Sequence, residues 1–123
     1  MRDVDARVRR RNDEYLGVFN AHDDATLVAT FFTDECVLLP PGADLVRGHD
    51  AVRAFWRREF ELGAMLKPLA TIEVVECGKS ILELGSYELS WHDGRSDAGY
   101  YAVLWACDDS GVLKLATDIW NSR

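Results

Sequence analysis

Lys114-Leu115-Ala116-Thr117-Asp118-Ile119-Trp120-Asn121 closes the 123-residue sequence and decides how its sheet is interpreted. Apolar and small residues alternate here without a Gly or Pro, which is typical of a β-strand. Successive side chains of a strand point to opposite faces. The two faces are then Leu115, Thr117 and Ile119 on one side and Ala116, Asp118 and Trp120 on the other. The second face carries a carboxylate two residues from a large aromatic ring, so it is either a solvated rim or the wall of a pocket.

The preceding 50 residues have the same character. Segments rich in Val, Ile, Leu, Tyr and Trp alternate with short polar connections that contain Gly, a pattern that indicates hairpins. We therefore expect an antiparallel meander of four strands, Leu66–Cys77, Ile81–His92, Ser96–Cys107 and Val112–Asn121.

Upstream, the periodicity is helical. Asp3–Asn20 is predicted as a helix whose buried stripe is Val4, Val8, Tyr15 and Phe19, with Asn12 an unusual polar member. Asp23 or Asp24 is expected to cap a second helix that runs through Phe31 and Phe32. The apolar run Cys36–Leu39 predicts a short buried strand, and a third helix is expected from Asp50 to about Gly63. Helices followed by strands predict an α+β fold in a single domain, residues 1–123.

Composition limits the function classes. A net charge of −7 argues against nucleic-acid binding by phosphate neutralisation. No apolar run reaches the roughly 18–20 residues that a membrane helix needs, and the N-terminal residues lack the apolar core of a secretion signal. Three scattered cysteines, Cys36, Cys77 and Cys107, favour free thiols in a reducing cytoplasm.

The segment Gly99–Ala106 is apolar on both alternating faces. A strand of this kind needs cover on both sides, and three helices can cover only one face of the sheet. We therefore expect a homodimer that packs sheet against sheet, with Leu115 and Ile119 facing the partner.

The sequence resembles the nuclear transport factor 2-like superfamily in three segments, Phe31–Gly42, Val46–Gly48 and Ala51–Trp56. Within that superfamily it resembles the SnoaL-like group, which includes ketosteroid isomerases and polyketide cyclases. Gly111–Leu115 and Asp118–Asn121 fit the same family ending. The resemblance implies a cone-shaped α+β barrel with a cavity open at one end. It also implies chemistry by side chains alone, and the sequence shows neither a Gly-rich phosphate loop nor a His/Cys metal cluster. No cofactor or metal is expected.

The resemblance also allows the sequence to be compared with the ketosteroid isomerase site, which combines a carboxylate base with a Tyr and a protonated Asp. The tyrosine corresponds to Tyr15, but the base falls at Pro40 and the second acid at about Val103. Because neither of these residues carries a titratable group, ketosteroid isomerisation by the usual acid/base set is not expected.

The same overlay implies that Leu84, Ser86 and Glu88 face the cavity, together with Tyr101 and Val103. On the last strand it implies the same of Ala116, Asp118 and Trp120. A one-residue bulge would invert this alternation. The candidate catalytic residues are Asp118, as general acid or base, and Tyr15, as hydrogen-bond donor. The candidate substrate-binding residues are Asn12, Phe19, Phe55, Glu88, Tyr101 and Trp120.

Each assignment has a structural alternative. Asp118 is otherwise a rim carboxylate paired with a cation, Glu88 a solvated strand residue, and Tyr15 a core aromatic. Two functions therefore stay open. The first is a cofactor-free cyclase, isomerase, dehydratase or hydrolase acting on a small apolar molecule. The second is a non-catalytic ligand-binding or dimeric association module. If Asp118 is buried beside a cavity, it belongs to a ligand site; if it is exposed to solvent, it is a rim carboxylate.

Overall fold

Three helices lie against a strongly curved mixed sheet of seven strands that forms a half-barrel. This computed structural model describes residues 2–123. The helices are α1 (Asp3–Asn20), α2 (Asp24–Phe31) and α3 (His49–Glu61). The strands are β1 (Phe32–Leu39), β2 (Val46–Arg47), β3 (Met65–Leu66), β4 (Ala70–Cys77), β5 (Ser80–Ser90), β6 (Ser96–Cys107) and β7 (Leu113–Ser122). The predicted cone-shaped α+β fold is confirmed.

The sheet runs in the order β2-β1-β7-β6-β5-β3, and β4 also pairs with β5. The β4–β7 strands form the expected antiparallel meander. The pairing between β1 and β7 is parallel, which places the last strand in the centre of the sheet. Within residues 2–123, no helix combines the length and the apolar character that crossing a bilayer requires.

Two element boundaries differ from those predicted. The first meander strand is split into β3 and β4, because Pro68 lies in the gap and has no N–H to donate to a ladder. The first long strand begins at Phe32, four residues before Cys36, so α2 ends one residue earlier than predicted. The cap of α2 is Asp23, whose carboxylate accepts a hydrogen bond from the Thr26 N–H at 3.0 Å.

The helices bury an aromatic core against the inner face of the sheet. The α1 stripe is buried as predicted, Asn12 included. Phe19 meets Trp56 and Phe60 of α3 in edge-to-face contacts at 5.2 and 4.9 Å between ring centroids. These contacts fix α1 and α3 over the concave side of the sheet.

A bulge in β7 changes the alternation that the sequence predicts. Leu104 pairs with Thr117, but Trp105 pairs with Leu115, so Ala116 is an extra residue on β7. Leu115 and Asp118, three residues apart, therefore share the inner face. The prediction that Asp118 and Trp120 face inward is confirmed, whereas the prediction that Leu115 faces a partner sheet is wrong. Ile119 points outward and is 43% exposed.

The alternation of β5 is also opposite to the prediction. Ile81, Glu83, Gly85 and Tyr87 are buried, whereas Leu84 and Ser86 are half-buried on the other face. Apart from Glu83 the buried face is apolar, whereas the other face also carries Ser80, Ser86, Glu88 and Ser90, so the sequence pattern itself favours the observed orientation. Glu83 in place of Glu88 is consequently the acid that β5 contributes to the interior.

Candidate functional site

The concave side of the sheet encloses a cavity of about 70 Å³ beneath α1 and α3, here called the inner cavity. It is lined by Asn12, Tyr15, Phe19, Trp56, Leu66, Leu69, Tyr87, Leu89, Tyr101, Val103, Trp105, Leu115, Asp118 and Trp120. Its wall is mostly aromatic and aliphatic, so the few polar atoms that reach it decide its chemistry.

The innermost polar group is the Glu83 carboxylate, which is 0% exposed. Its Oε2 accepts hydrogen bonds from Asn12 Nδ2 at 2.9 Å, Thr71 Oγ1 at 2.8 Å and the Tyr101 hydroxyl at 2.6 Å. Its Oε1 accepts one from Trp105 Nε1 at 3.0 Å. All four partners donate, which matches the acceptor-only ionised form of the carboxylate. The polar position on the α1 stripe is thereby explained, because Asn12 is one of these donors.

Register places this carboxylate in one row with a second acid. Glu83 pairs with Val103 on β6, and Val103 pairs with Asp118 on β7. Two strand spacings put the two acidic residues about 10 Å apart along the backbone, and both face inward. In the neighbouring row Gly85 pairs with Tyr101. The Tyr101 ring lies where a Cβ on residue 85 would sit, so this glycine is what lets Tyr101 lean towards Glu83.

Asp118 is the unpaired acid of the site. It is 8% exposed and lies on the wall of the inner cavity. Burial and then the negative charge of Glu83 raise its pKa to about 7, and no hydrogen bond from the described residues opposes this. With a pKa of about 7, Asp118 can exchange a proton near neutral pH, while the Glu83 carboxylate accepts four hydrogen bonds beside it.

Tyr15 supplies a hydroxyl to the same cavity. Its ring packs edge-on to Phe31 at 5.4 Å. Burial and then the charge of Asp118 hold the pKa of Tyr15 well above its usual value. The hydroxyl therefore stays protonated and can donate a hydrogen bond to a ligand oxygen.

The structure brings together most of the predicted site residues. Those lining the inner cavity are Asn12, Tyr15, Phe19, Tyr101, Asp118 and Trp120. Phe55 lies farther out, in edge-on contact with Trp120 at 6.1 Å. The inward orientation predicted for Glu88 is wrong: its side chain is 59% exposed and lies 3.9 Å from Lys67 Nζ.

Sequence reasoning missed Glu83, Thr71, Trp105 and Tyr87. The available signal was the position of Glu83 on the same face of the strand as Ile81, Tyr87 and Leu89, whereas Ser86 and Glu88 lie on the other face. Thr71, on a different strand, gives no such signal, because its role depends on the pairing of β4 with β5.

A second, larger space of about 480 Å³ adjoins the inner cavity and is here called the vestibule. It is lined by Pro40, Pro41, Ala43, Phe55, Trp56, Glu59, Ala64, Leu89, Trp91, Arg95, Ser96, Asp97, Trp120 and Ser122. Trp56, Leu89 and Trp120 line both spaces. The indoles of Trp56 and Trp120 stack at 5.7 Å with an interplanar angle of 15°, so this pair is the wall that divides them.

The usual isomerase acids are absent from the positions where that site would have them. Pro40 follows β1 and Val103 lies on β6, as the sequence overlay indicates. Asp118, on the adjacent strand, is the direct register partner of Val103. A carboxyl group therefore reaches the same region of the cavity from β7.

Solved structures with this fold are numerous. A ketosteroid isomerase-like protein from Erwinia carotovora atroseptica is 21% identical, with 99% of this chain and 98% of that chain covered and a TM-score of 0.78. A conserved protein from Planctomyces limnophilus is 18% identical, with coverage of 99% and 100% and a TM-score of 0.81. Aln2 from a Streptomyces species is 14% identical, with coverage of 99% and 92% and a TM-score of 0.76. At these identities the likeness shows the fold alone.

No curated protein is significantly similar to this sequence. The model of the SnoaL-like domain matches residues 13–82, more than half of the chain. That segment holds the C-terminal part of α1, all of α2 and α3, and the strands up to the start of β5. By this match and by its cone of helices and curved sheet, the chain belongs to the SnoaL-like domain family.

Proposed function

We propose that this protein binds a small apolar molecule in the cone and catalyses a proton transfer on it without a cofactor, in the manner of an isomerase or cyclase. The observation that carries this is Asp118, a buried and unpaired carboxyl group on the cavity wall whose pKa is raised to about 7. A base with this pKa is half-ionised at neutral pH, which suits general acid–base catalysis.

The volume of the inner cavity limits what reacts there. An engineered apolar cavity of about 150 Å³ accommodates benzene. A space of about 70 Å³ takes a smaller group, such as a short ketone or the end of a longer molecule. In the proposed step, the Asp118 carboxylate accepts a proton from the carbon next to the carbonyl, and the Tyr15 hydroxyl donates a hydrogen bond to the carbonyl oxygen. The enolate then regains a proton from Asp118 at the same or a neighbouring atom.

Proton abstraction is measurable without knowing the natural substrate. In D₂O, acetone and butanone are expected to exchange their α-protons for deuterium in the presence of the protein, as followed by ¹H NMR. The rate should rise with pH through a midpoint near 7, because only ionised Asp118 accepts a proton. Asp118→Asn should reduce the catalysed rate by about 100-fold or more.

Tyr15→Phe is the companion variant, and it should lower the rate by about tenfold while Asp118 still titrates. Asp109→Asn, in an exposed turn, should leave exchange unchanged. If these ketones perturb the NMR signals of the cavity residues but exchange at the background rate, the protein is a non-catalytic ligand-binding module, the second candidate function.

A homodimer is also proposed, on the basis of the outer face of the sheet. Two apolar rows cross four strands there, the first being Leu39, Ile119, Ala102 and Leu84 and the second Val37, Thr117, Leu104 and Leu82. Tyr100 adds a ring that is 47% exposed. A continuous apolar surface of this kind is typical of an interface between protein chains.

The free state of all three cysteines supports a location in the reducing cytoplasm.

Ile119→Lys is expected to convert this dimer to a monomer, because it places a charge in the middle of the first apolar row. The matched control is Ile72→Lys on β4, since Ile72 is 62% exposed and outside both rows. Sedimentation equilibrium should show that the mass halves for Ile119→Lys only. A wild-type protein that sediments as a monomer would disprove the dimer.

A further inference from the structure

We propose that the vestibule is a second binding compartment, which holds a flat, uncharged or cationic ring that carries hydroxyl groups. Because the vestibule shares the Trp56–Trp120 wall with the inner cavity, this inference rests on the proposed function and names the class of molecule that the outer part of the cone accepts. The compartment is nevertheless defined by residues other than Asp118 and Tyr15.

The shape of the vestibule indicates a planar ligand. Its walls carry aromatic rings from three elements: Phe55 and Trp56 of α3, Trp91 just after β5, and Trp120 of β7. Flat rings on several sides favour stacked and edge-on contacts with another flat ring. A volume of about 480 Å³ is within the usual range for a small-molecule site.

The polar groups of the vestibule determine the charge of the ligand. Its three charged residues are Glu59, Asp97 and Arg95. The Arg95 guanidinium is already paired with Asp93 at 2.7 Å and lies 4.9 Å from the centre of the Trp91 ring. Two carboxylates against one neutralised cation disfavour an anionic ligand.

These carboxylates are held in place and keep acceptor capacity. Glu59 accepts a hydrogen bond from Trp91 Nε1 at 2.9 Å through Oε2, and Asp97 accepts one from the Tyr87 hydroxyl at 2.8 Å through Oδ2. Each pairing engages one oxygen of its carboxylate. Ligand hydroxyl groups can donate to the remaining oxygens, and Ser96 and Ser122 add hydroxyls to the same lining.

The dividing wall carries an independent sign of a missing partner. Among the buried side-chain nitrogen and oxygen atoms of residues 2–123, Trp56 Nε1 alone has no hydrogen-bond partner. A buried donor without an acceptor is destabilising. A ligand oxygen that reached this N–H would supply the missing acceptor.

The test uses two probes with the same ring system, 2-naphthol and 2-naphthalenesulfonate. Uniformly ¹⁵N-labelled protein is titrated with each probe, and the indole N–H signals of the four tryptophans are followed. We expect 2-naphthol to shift the signals of Trp91 and Trp120 more than that of Trp105, which lines only the inner cavity. The sulfonate should bind about tenfold more weakly because of the two carboxylates.

Two variants separate ring contacts from charge. Trp91→Leu should weaken 2-naphthol by about tenfold, and Trp91→Phe should restore most of the affinity, because stacking needs a ring. Asp97→Asn keeps an acceptor for Tyr87 and removes one negative charge. It should improve sulfonate binding relative to 2-naphthol binding by about threefold to tenfold.

The proposed binding in the vestibule and the proposed catalytic function can be disproved independently of each other. Asp118→Asn should bind 2-naphthol as the wild type does, even though it loses exchange activity. The proposal is overturned if the sulfonate binds as tightly as 2-naphthol, or if the Trp91 signal does not respond to 2-naphthol at all. Loss of 2-naphthol binding in Asp118→Asn would also overturn it, since the ring would then reside in the inner cavity.

Discussion

Replacing Asp118 with Asn is expected to raise the free energy of unfolding by about 4 kcal/mol at pH 8. In the folded protein the pKa of Asp118 is about 7, against 3.8 for an unperturbed aspartate. The folded state therefore holds this proton more tightly than the unfolded state does, and ionising Asp118 at high pH destabilises the fold. Asparagine has nearly the same shape and no charge to ionise.

The difference in unfolding free energy between Asp118→Asn and the wild type should depend on pH. Below about pH 4 both states are protonated, and the variant and the wild type should be equally stable. The difference should grow between pH 4 and 7 and level off above pH 7, where Asp118 is ionised in both states. Urea unfolding at pH 4, 5, 6, 7 and 8 measures it. Asp109→Asn, at an exposed position, should show no such trend, and a pH-independent difference for Asp118→Asn would contradict the assigned titration.

Truncating Glu83 should have the second large effect. Glu83→Ala removes the acceptor for three buried donors and the half-buried Thr71 hydroxyl and leaves a cavity, and we expect a loss of on the order of 5 kcal/mol in unfolding free energy. Glu88→Ala is the matched control on the same strand. Because Glu88 is exposed, its truncation should change stability by less than about 0.5 kcal/mol.

Glu83→Gln keeps the shape of the side chain and provides a measurement if the alanine variant does not fold. Its amide group turns a donor towards other donors, so a loss of about 2 kcal/mol is expected in urea unfolding. It also removes the negative charge that helps to raise the pKa of Asp118. The Asp118 carboxyl signal, followed by ¹³C NMR, should then titrate below 7. An unchanged titration would show that burial alone sets that pKa.

Local pattern was sufficient to predict the scaffold. The spacing of Val4, Val8, Tyr15 and Phe19 predicts α1 and its buried face, and the polar connections containing Gly predict the meander. These features depend on residues that are close in sequence. Pro68 was a readable signal too, since a residue without an N–H interrupts a ladder, and it is where the first meander strand divides.

The candidate site was only half predictable, because it depends on pairings between distant segments. Asp118 and Trp120 were placed correctly from the family overlay. Glu83 was not, because the overlay turned Ser86 and Glu88 inward, although the polarity of that face of β5 favours the opposite orientation. What makes Glu83 tolerable inside the protein is a set of donors from α1, β4 and β6, and no local pattern reveals that set.

Because Ala116 is an extra residue, the sequence position of the acid on β7 is one residue later than its position in the cavity would suggest. In this chain the inward-facing Asp118 comes three positions after the inward-facing Leu115, whereas a strand without a bulge would have the same acid two positions after. An ungapped alignment with such a relative would match Asp118 to an outward-facing residue and score the acid as lost. Relatives that share this chemistry should therefore be sought by strand pairing, with a one-residue gap allowed opposite Ala116.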